Sequence, residues 1–278
     1  MRRLRKFFKT FTPAVAGGES YVDLAEQKGT YFDMALEIKK DGVLCDAATM
    51  TQLIDYVEIL RNNNRQRKFT PAQLISINAF KKEAFETGFL DVFFAEPDSS
   101  TSVGEDNTAW TLDGASSFVV KIFWKAGAWV PSVEGYRSWH PTTLPLSAVS
   151  PVTYSEVQFN EVTGANRLLD IPNNGRDINH IHMFTDKISD FVYRRNDQVI
   201  IEGTKGIVDH QYKKGRDYIP TANEMVISQK AMTGRGADRM PATMVLDGQR
   251  LKSVHEVEAT FSADSQFNTI IETVGSFR

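Results

Sequence analysis

The sequence predicts a mainly β protein built as two β-sandwiches in tandem, each with a short helix beside it. Three observations carry this. Short segments of alternating apolar and polar residues recur between turn residues, as a sandwich or barrel requires. The order strand, Asp-marked turn, strand, helix, basic tail occurs twice, over Thr30–Lys68 and over Lys187–Arg216. A chain of 278 residues also suits two domains of about 100–150 residues.

Hydrophobic residues at 41% and charged residues at 24% are globular values and exclude a fibrous or wholly disordered chain. The net charge of -3 gives no global attraction to nucleic acid. One cysteine, Cys45, excludes an internal disulfide and suits a reducing compartment. No apolar run reaches the roughly 18–20 residues of a membrane span, so neither a signal peptide nor a spanning segment is expected.

Residues 1–18 read as a basic N-terminal arm. Arg2, Arg3, Arg5, Lys6 and Lys9 are mixed with Phe7, Phe8 and Phe11 ahead of Pro13 and Gly17-Gly18. Such a mixture suits an anionic surface, lipid or nucleic acid, as well as a plain frayed terminus. Residues 19–130 form the first sandwich. Strands are expected near Ser20–Glu26 and Phe32–Ile38, with a tight turn at Asp41-Gly42. A helix is expected over Thr49–Leu60, capped by Thr49 and Gln52, with Leu53, Ile54, Val57 and Leu60 on one face. Asn62–Asn64 would end it, with Arg61, Arg65, Arg67 and Lys68 favoured by its dipole.

Phe69–Ile77 alternates like a strand, Pro97–Asn107 reads as a polar loop, and Phe118–Trp124 as an apolar strand. Residues 131–153 hold Pro131, Pro141, Pro145 and Pro151, which lack ladder donors, and are expected to be a linker. Residues 154–278 form the second sandwich. Its strands are expected at 178–184, 191–195, 199–202, 226–228, 242–246, 254–261 and 267–274, with a helix that starts at Thr204 and ends at Gly215.

His180 and His182, two apart on a strand, project to one face and could reach one metal together with Asp186. This loosely resembles the cupin pattern, but no second motif follows and Tyr193 stands where its glycine belongs. Gly234–Arg239 is read as a basic surface loop, since no strand precedes it and Pro241 stops a helix. Cys45 lacks a neighbouring His or Lys and is assigned to the core. No serine lies in a nucleophile elbow, so no catalytic residue is assigned. The acidic stretch Asp98–Asp106 could hold a structural calcium but lacks regularly spaced ligands.

The segments Pro13–Ser20, Thr49–Leu60, Ile178–His182, Glu202–Lys205 and Ile270–Gly275 resemble, in order along the chain, the double jelly-roll major capsid proteins of tailless icosahedral phages with an internal membrane, most of all the corticovirus type. The resemblance implies two tandem jelly rolls, no active site and no cofactor. It further implies a homotrimeric capsomer of pseudo-hexagonal outline, tiled with neighbouring capsomers and other virion proteins into a shell assembled in the host cytoplasm. The arm (Arg2, Arg3, Arg5, Lys6, Phe7, Phe8, Lys9) would then face inner-membrane lipid or membrane proteins, without specific nucleic-acid recognition. Arg61, Arg65, Arg67, Trp129, Tyr136 and Trp139 are interface candidates. Two other readings stay open: a bicupin-like metal enzyme using His180 and His182, and a carbohydrate-binding sandwich with Trp110, Trp124, Trp129 and Trp139 as its stacking platform.

Overall fold

The computed structural model describes residues 4–7, 11–99, 101–216, 218–233, 238–246 and 248–275, with the backbone alone for 165–167, 215, 216 and 246. Two compact units result. Unit 1 takes the chain up to Ala79 and Glu83–Thr153; unit 2 takes Tyr154–Gly275 together with Phe80–Lys82 from the first half.

Unit 1 contains β1 (Leu4–Phe7), β2 (Glu19–Asp23), β3 (Thr30–Lys40), β4 (Val43–Leu44), β5 (Ile54–Arg61), β6 (Asn64–Phe69), β7 (Phe89–Phe93), β8 (Trp110–Thr111), β9 (Phe118–Trp124) and β10 (Pro131–His140). Its helices are α1 (Ala47–Leu53), α2 (Pro71–Phe80) and α3 (Ser102–Thr108). One sheet runs β1-β10-β3-β4, with β7 and β8 also paired to β3; the other runs β2-β9-β5-β6. Alternation sends Met34, Leu36 and Ile38 of β3, Val57 and Ile59 of β5, and Val120 and Ile122 of β9 into the core. Tyr31 meets Phe118 edge-on with ring centroids 5.2 Å apart, which joins the two sheets of the sandwich.

Unit 2 contains β11 (Val152–Glu161) from Tyr154 onward, its first two residues belonging to unit 1, then β12 (Gly164–Asp170), β13 (Asp177–Met183), β14 (Ile188–Arg195), β15 (Gln198–Thr204), β16 (Met225–Ile227), β17 (Thr243–Leu246), β18 (Gln249–Lys252), β19 (His255–Phe261) and β20 (Ser265–Val274). Helices α4 (Lys205–Arg216) and α5 (Gln229–Thr233) complete it. The sheets run β11-β20-β13-β16 and β12-β19-β14-β15, with β17 and β18 as a separate hairpin. Ile181 and Ile271 of one sheet share a core with Phe191 and Val257 of the other. Phe80 lies inside that same core.

The duplicated order is present as β3, turn, β4, α1 and as β14, turn, β15, α4. Both turns place side chains at positive φ, Asp41 at 52° in one, Asn196 at 49° and Asp197 at 63° in the other, where Asn and Asp are tolerated. The units differ after the helix.

Several expectations need correction. The helix of Thr49–Leu60 is only α1, capped by Asp46, whose carboxylate accepts the Thr49 N–H at 2.7 Å. From Ile54 the chain is strand β5, because Ile54, Val57 and Ile59 are β-branched and two strands, β6 and β9, flank it. Asn62 and Asn63, at φ 53° and 60°, turn the β5–β6 hairpin instead of ending a helix. Phe69–Ile77 is no strand: Thr70 Oγ1 accepts the Gln73 N–H, Gln73 Oε1 accepts the Thr70 N–H, and Pro71 opens helix α2. The polar loop 97–107 encloses α3, capped by Thr101. The expected linker begins with β10, a ten-residue strand paired along its length with β3. Its one proline stands at the first strand position, where the missing donor is tolerated. The second helix also runs one residue past Gly215.

Because unit 2 closes around Phe80, Phe80→Ala should cost about 3–5 kcal/mol, read as a lower urea midpoint. Residues 154–278 expressed alone should show no cooperative unfolding transition; a native-like transition in that fragment would contradict the assignment of Phe80–Lys82 to this core.

Candidate functional site

His180 and His182 do share one side of β13. Their rings stand edge-on to Phe80 at 5.5 and 5.7 Å between centroids. Both are fully buried. His180 Nδ1 lies 2.8 Å from Ser228 Oγ and His182 Nδ1 2.5 Å from Glu224 Oε1, so each ring is fixed by a side-chain partner. Asp186 is elsewhere: exposed, with its carboxylate accepting from Lys187 Nζ at 2.9 Å. Among the described residues no three His, Cys, Asp or Glu side chains are grouped to hold a metal ion, and the triad expected for a bicupin is not assembled.

The same buried region holds a charge pair that sequence reasoning missed. Lys81 Nζ donates to Glu272 Oε2, and Asn179 Nδ2 donates to Oε1 of the same carboxylate at 2.6 Å. Lys81 and Glu272 are 191 positions apart, so no local pattern links them. Burial alone would raise the Glu272 pKa. The Lys81 ammonium, then His180 and His182, outweigh burial and hold it below the usual carboxylate range.

Several interface candidates serve the interior instead. Arg67 is 1% exposed; its guanidinium donates to the carbonyls of Phe93 and Val152 and lies 4.7 Å from the Trp110 ring centroid. Arg61 is also buried and donates to the Asp113 carbonyl. These two are corrected from surface to core: carbonyl acceptors and aromatic faces make burial of a guanidinium tolerable. Arg65 is exposed, Tyr136 is 39% exposed, and Trp129 and Trp139 are half-buried. Trp110 and Trp124 are buried, with their indole N–H groups given to Val152 O and Ser20 Oγ. The four tryptophans therefore form no exposed platform. Cys45 is buried as expected, and burial raises its thiol pKa.

Of the arm, Arg5, Lys6 and Phe7 are described; Arg2, Arg3, Phe8 and Lys9 lie outside the described residues, as does 234–237 of the basic loop. Leu4–Phe7 is strand β1, antiparallel to β10, with Leu4 opposite Trp139 and Phe7 opposite Tyr136. Phe7 meets the Tyr136 ring at 88°, centroids 5.0 Å apart. Beside this strand opens a cleft of about 620 Å³ lined by Arg5, Lys6 and Phe7 and by the carboxylates Asp33, Glu83 and Asp91. Burial, then the nearby Asp33, Glu83 and Glu86, raises the Asp91 pKa to about 6.

Residues 6–139 match the family model described as viral coat protein P2 N-terminal domain. Those residues, just under half of the chain, are similar to that coat-protein family. The fold of this chain is similar to solved capsid structures along its whole length. The major capsid protein P2 of bacteriophage PM2 superposes with TM-score 0.80 at 15% identity, covering 100% of this chain and 98% of that one. The Sulfolobus turreted icosahedral virus structure gives TM-score 0.70 at 7% identity over 99% and 91%. The PBCV-1 virus capsid gives 0.62 at 7% over 98% and 94%. These likenesses establish the double jelly-roll fold expected from the sequence. No curated protein sequence matches this chain.

Two measurements test these sites. Lys81→Met strands the Glu272 carboxylate in the core and should cost about 3–5 kcal/mol. Adding Glu272→Gln should restore most of that in urea unfolding; equal losses would show the pair to be unimportant. Asp91 has a folded pKa above the unfolded value of about 3.9, so its stabilising protonated form is lost as pH rises through about 6. Asp91→Asn should therefore raise Tm by roughly 2–4 °C at pH 8 and change it little at pH 4.

Proposed function

We propose that this chain is the major capsid protein of an icosahedral virus, assembling as a homotrimer of pseudo-hexagonal outline into a shell over an internal membrane. The observation that supports it most is the double jelly roll spanning the whole chain, in common with capsid proteins, joined to the coat-protein match over 6–139. A shell subunit acts through its surfaces, not through catalysis. Neighbouring capsomers and other virion proteins are its partners, and the virion capsid, assembled in host cytoplasm, is its location.

The exposed Arg65 and the half-buried Trp129 and Trp139 are the side chains we assign to subunit contacts, whereas Tyr136 packs against Phe7 of its own chain. They combine aromatic area with a cation, the composition enriched at protein interfaces. The basic arm is the membrane-facing element. Each Arg or Lys near an anionic lipid surface contributes about 1 kcal/mol, and phenylalanine inserts at the headgroup level. No helix among the described residues is long and apolar enough to cross a membrane, so the arm would act from the lipid surface. It carries no feature that would read a nucleotide sequence.

Size-exclusion chromatography with light scattering should give three copies per particle; a strict monomer at micromolar concentration would refute the capsomer. Deleting residues 1–11 should leave the trimer intact and reduce binding to anionic vesicles. Unchanged vesicle binding would remove the arm from the membrane.

A further inference from the structure

Strand β1 is engaged on the sheet of unit 1, antiparallel to β10. Register puts Phe7, Tyr136, Ala35 and Asp91 in one row across β1, β10, β3 and β7, and Arg5, Ser138, Asp33 and Phe93 in the next. Residues opposite one another on neighbouring strands share a face. Arg5 and Phe7 therefore lie on the same face as Asp33 and Asp91, along the acidic cleft. Phe7 is held against Tyr136 and cannot at the same time insert between headgroups.

The attachment is weak in ways that can be named. It is four residues long, at the edge of its sheet, and every one of the four is exposed. Lys6 stands opposite Arg137, and like charges directly opposite on paired strands destabilise the pairing. Arg137 itself is engaged inward, donating to Tyr31 Oη at 2.5 Å and lying 4.3 Å from the Trp139 ring centroid. It therefore stays in place when β1 leaves. Against this repulsion stand the ladder bonds, the Phe7–Tyr136 contact and the attraction of Arg5 to the carboxylates of the cleft. An anionic surface offers Arg5, Lys6 and Phe7 favourable contacts of the same kinds without the Lys6–Arg137 repulsion.

We propose that β1 is a releasable strap whose slot, the β10 edge with its acidic cleft, competes with anionic lipid for the same four residues. The inference rests on the arm's assignment to the membrane surface and adds its regulation: docked in the slot the arm is masked, and lipid binding frees the β10 edge. The slot has the specificity of strand addition, in which backbone bonds give affinity and alternate side chains choose the ligand. Its ligand class is a short basic and aromatic strand.

The test uses the full chain, wild type and Tyr136→Ala, with vesicles of phosphatidylglycerol and phosphatidylcholine in equal parts. Tyr136 is partly exposed and its loss removes the Phe7 contact without touching the arm's own sequence. An aromatic pair is worth about 0.5–1.5 kcal/mol, so Tyr136→Ala should bind these vesicles roughly 2- to 10-fold more tightly, with no gain on phosphatidylcholine alone. Amide hydrogen exchange should show Leu4–Phe7 less protected in the variant. In the wild type, adding vesicles should deprotect β10 amides that face β1. If the arm binds vesicles, as the 1–11 deletion reports, but Tyr136→Ala binds no more tightly and β10 stays protected, the competition is refuted. If Tyr136→Ala frees the arm by exchange yet neither protein binds vesicles, the membrane assignment falls and lipid is refuted as the competitor.

Discussion

Unit 2 depends on a lysine that arrives from the other half of the sequence. A carboxylate as deeply buried as Glu272 is tolerable only with a cation beside it and its remaining lone pairs satisfied. Lys81 and Asn179 supply these, and Phe80, one residue earlier, fills the space between His180, His182, Tyr212 and Tyr218. The fold of the second jelly roll is thus specified partly by three residues at the end of a helix in the first half. Such a pair gives little net stability over a hydrophobic substitute, but leaving one member alone is costly. It therefore penalises any arrangement that leaves position 81 outside this core.

Buried cations play a similar part in unit 1. Arg67 donates to carbonyls of Phe93 and Val152, and Trp110 donates to the same Val152 oxygen at 2.7 Å. Arg137 lies over Tyr31 and Trp139 and shifts the titration of its partner: burial raises the Tyr31 pKa to about 12 despite the guanidinium. A guanidinium suits these positions because its planar fork satisfies several carbonyls while its face packs on aromatic rings. What reads in sequence as a basic tail is therefore divided by the irregular register of the β5–β6 hairpin, with Arg61 and Arg67 inward and Arg65 outward.

In the shell role proposed above, function is a matter of which side chains remain outside once these internal demands are met. Tyr136 is outside because β10 alternates and its neighbours Gly135 and Arg137 face in. The strap lies on it for the same reason. The histidine pair, the sharpest chemical signal in the sequence, turns out to be tied by Ser228 and Glu224 within the core.

The sequence by itself determined the β class, the two-unit plan, the turns at Asp41 and Asp197, and strands such as Phe118–Trp124. Each of these is a local property: side-chain periodicity and the φ tolerance of Asp, Asn and Gly act over a few neighbouring residues. Local signals also existed for α2, in Thr70-Pro71 and Gln73, but the alternation of Phe69–Ile77 masked them. Tertiary structure alone decided that Ile54–Arg61 is a strand, since its apolar spacing fits a helix and only pairing with β9 and β6 selects the extended form. It alone decided that Pro131–His140 is a sheet strand and that Lys81 meets Glu272. Those outcomes depend on hydrogen-bond partners and counter-charges supplied from distant positions, and no window of sequence contains both halves of such a contact.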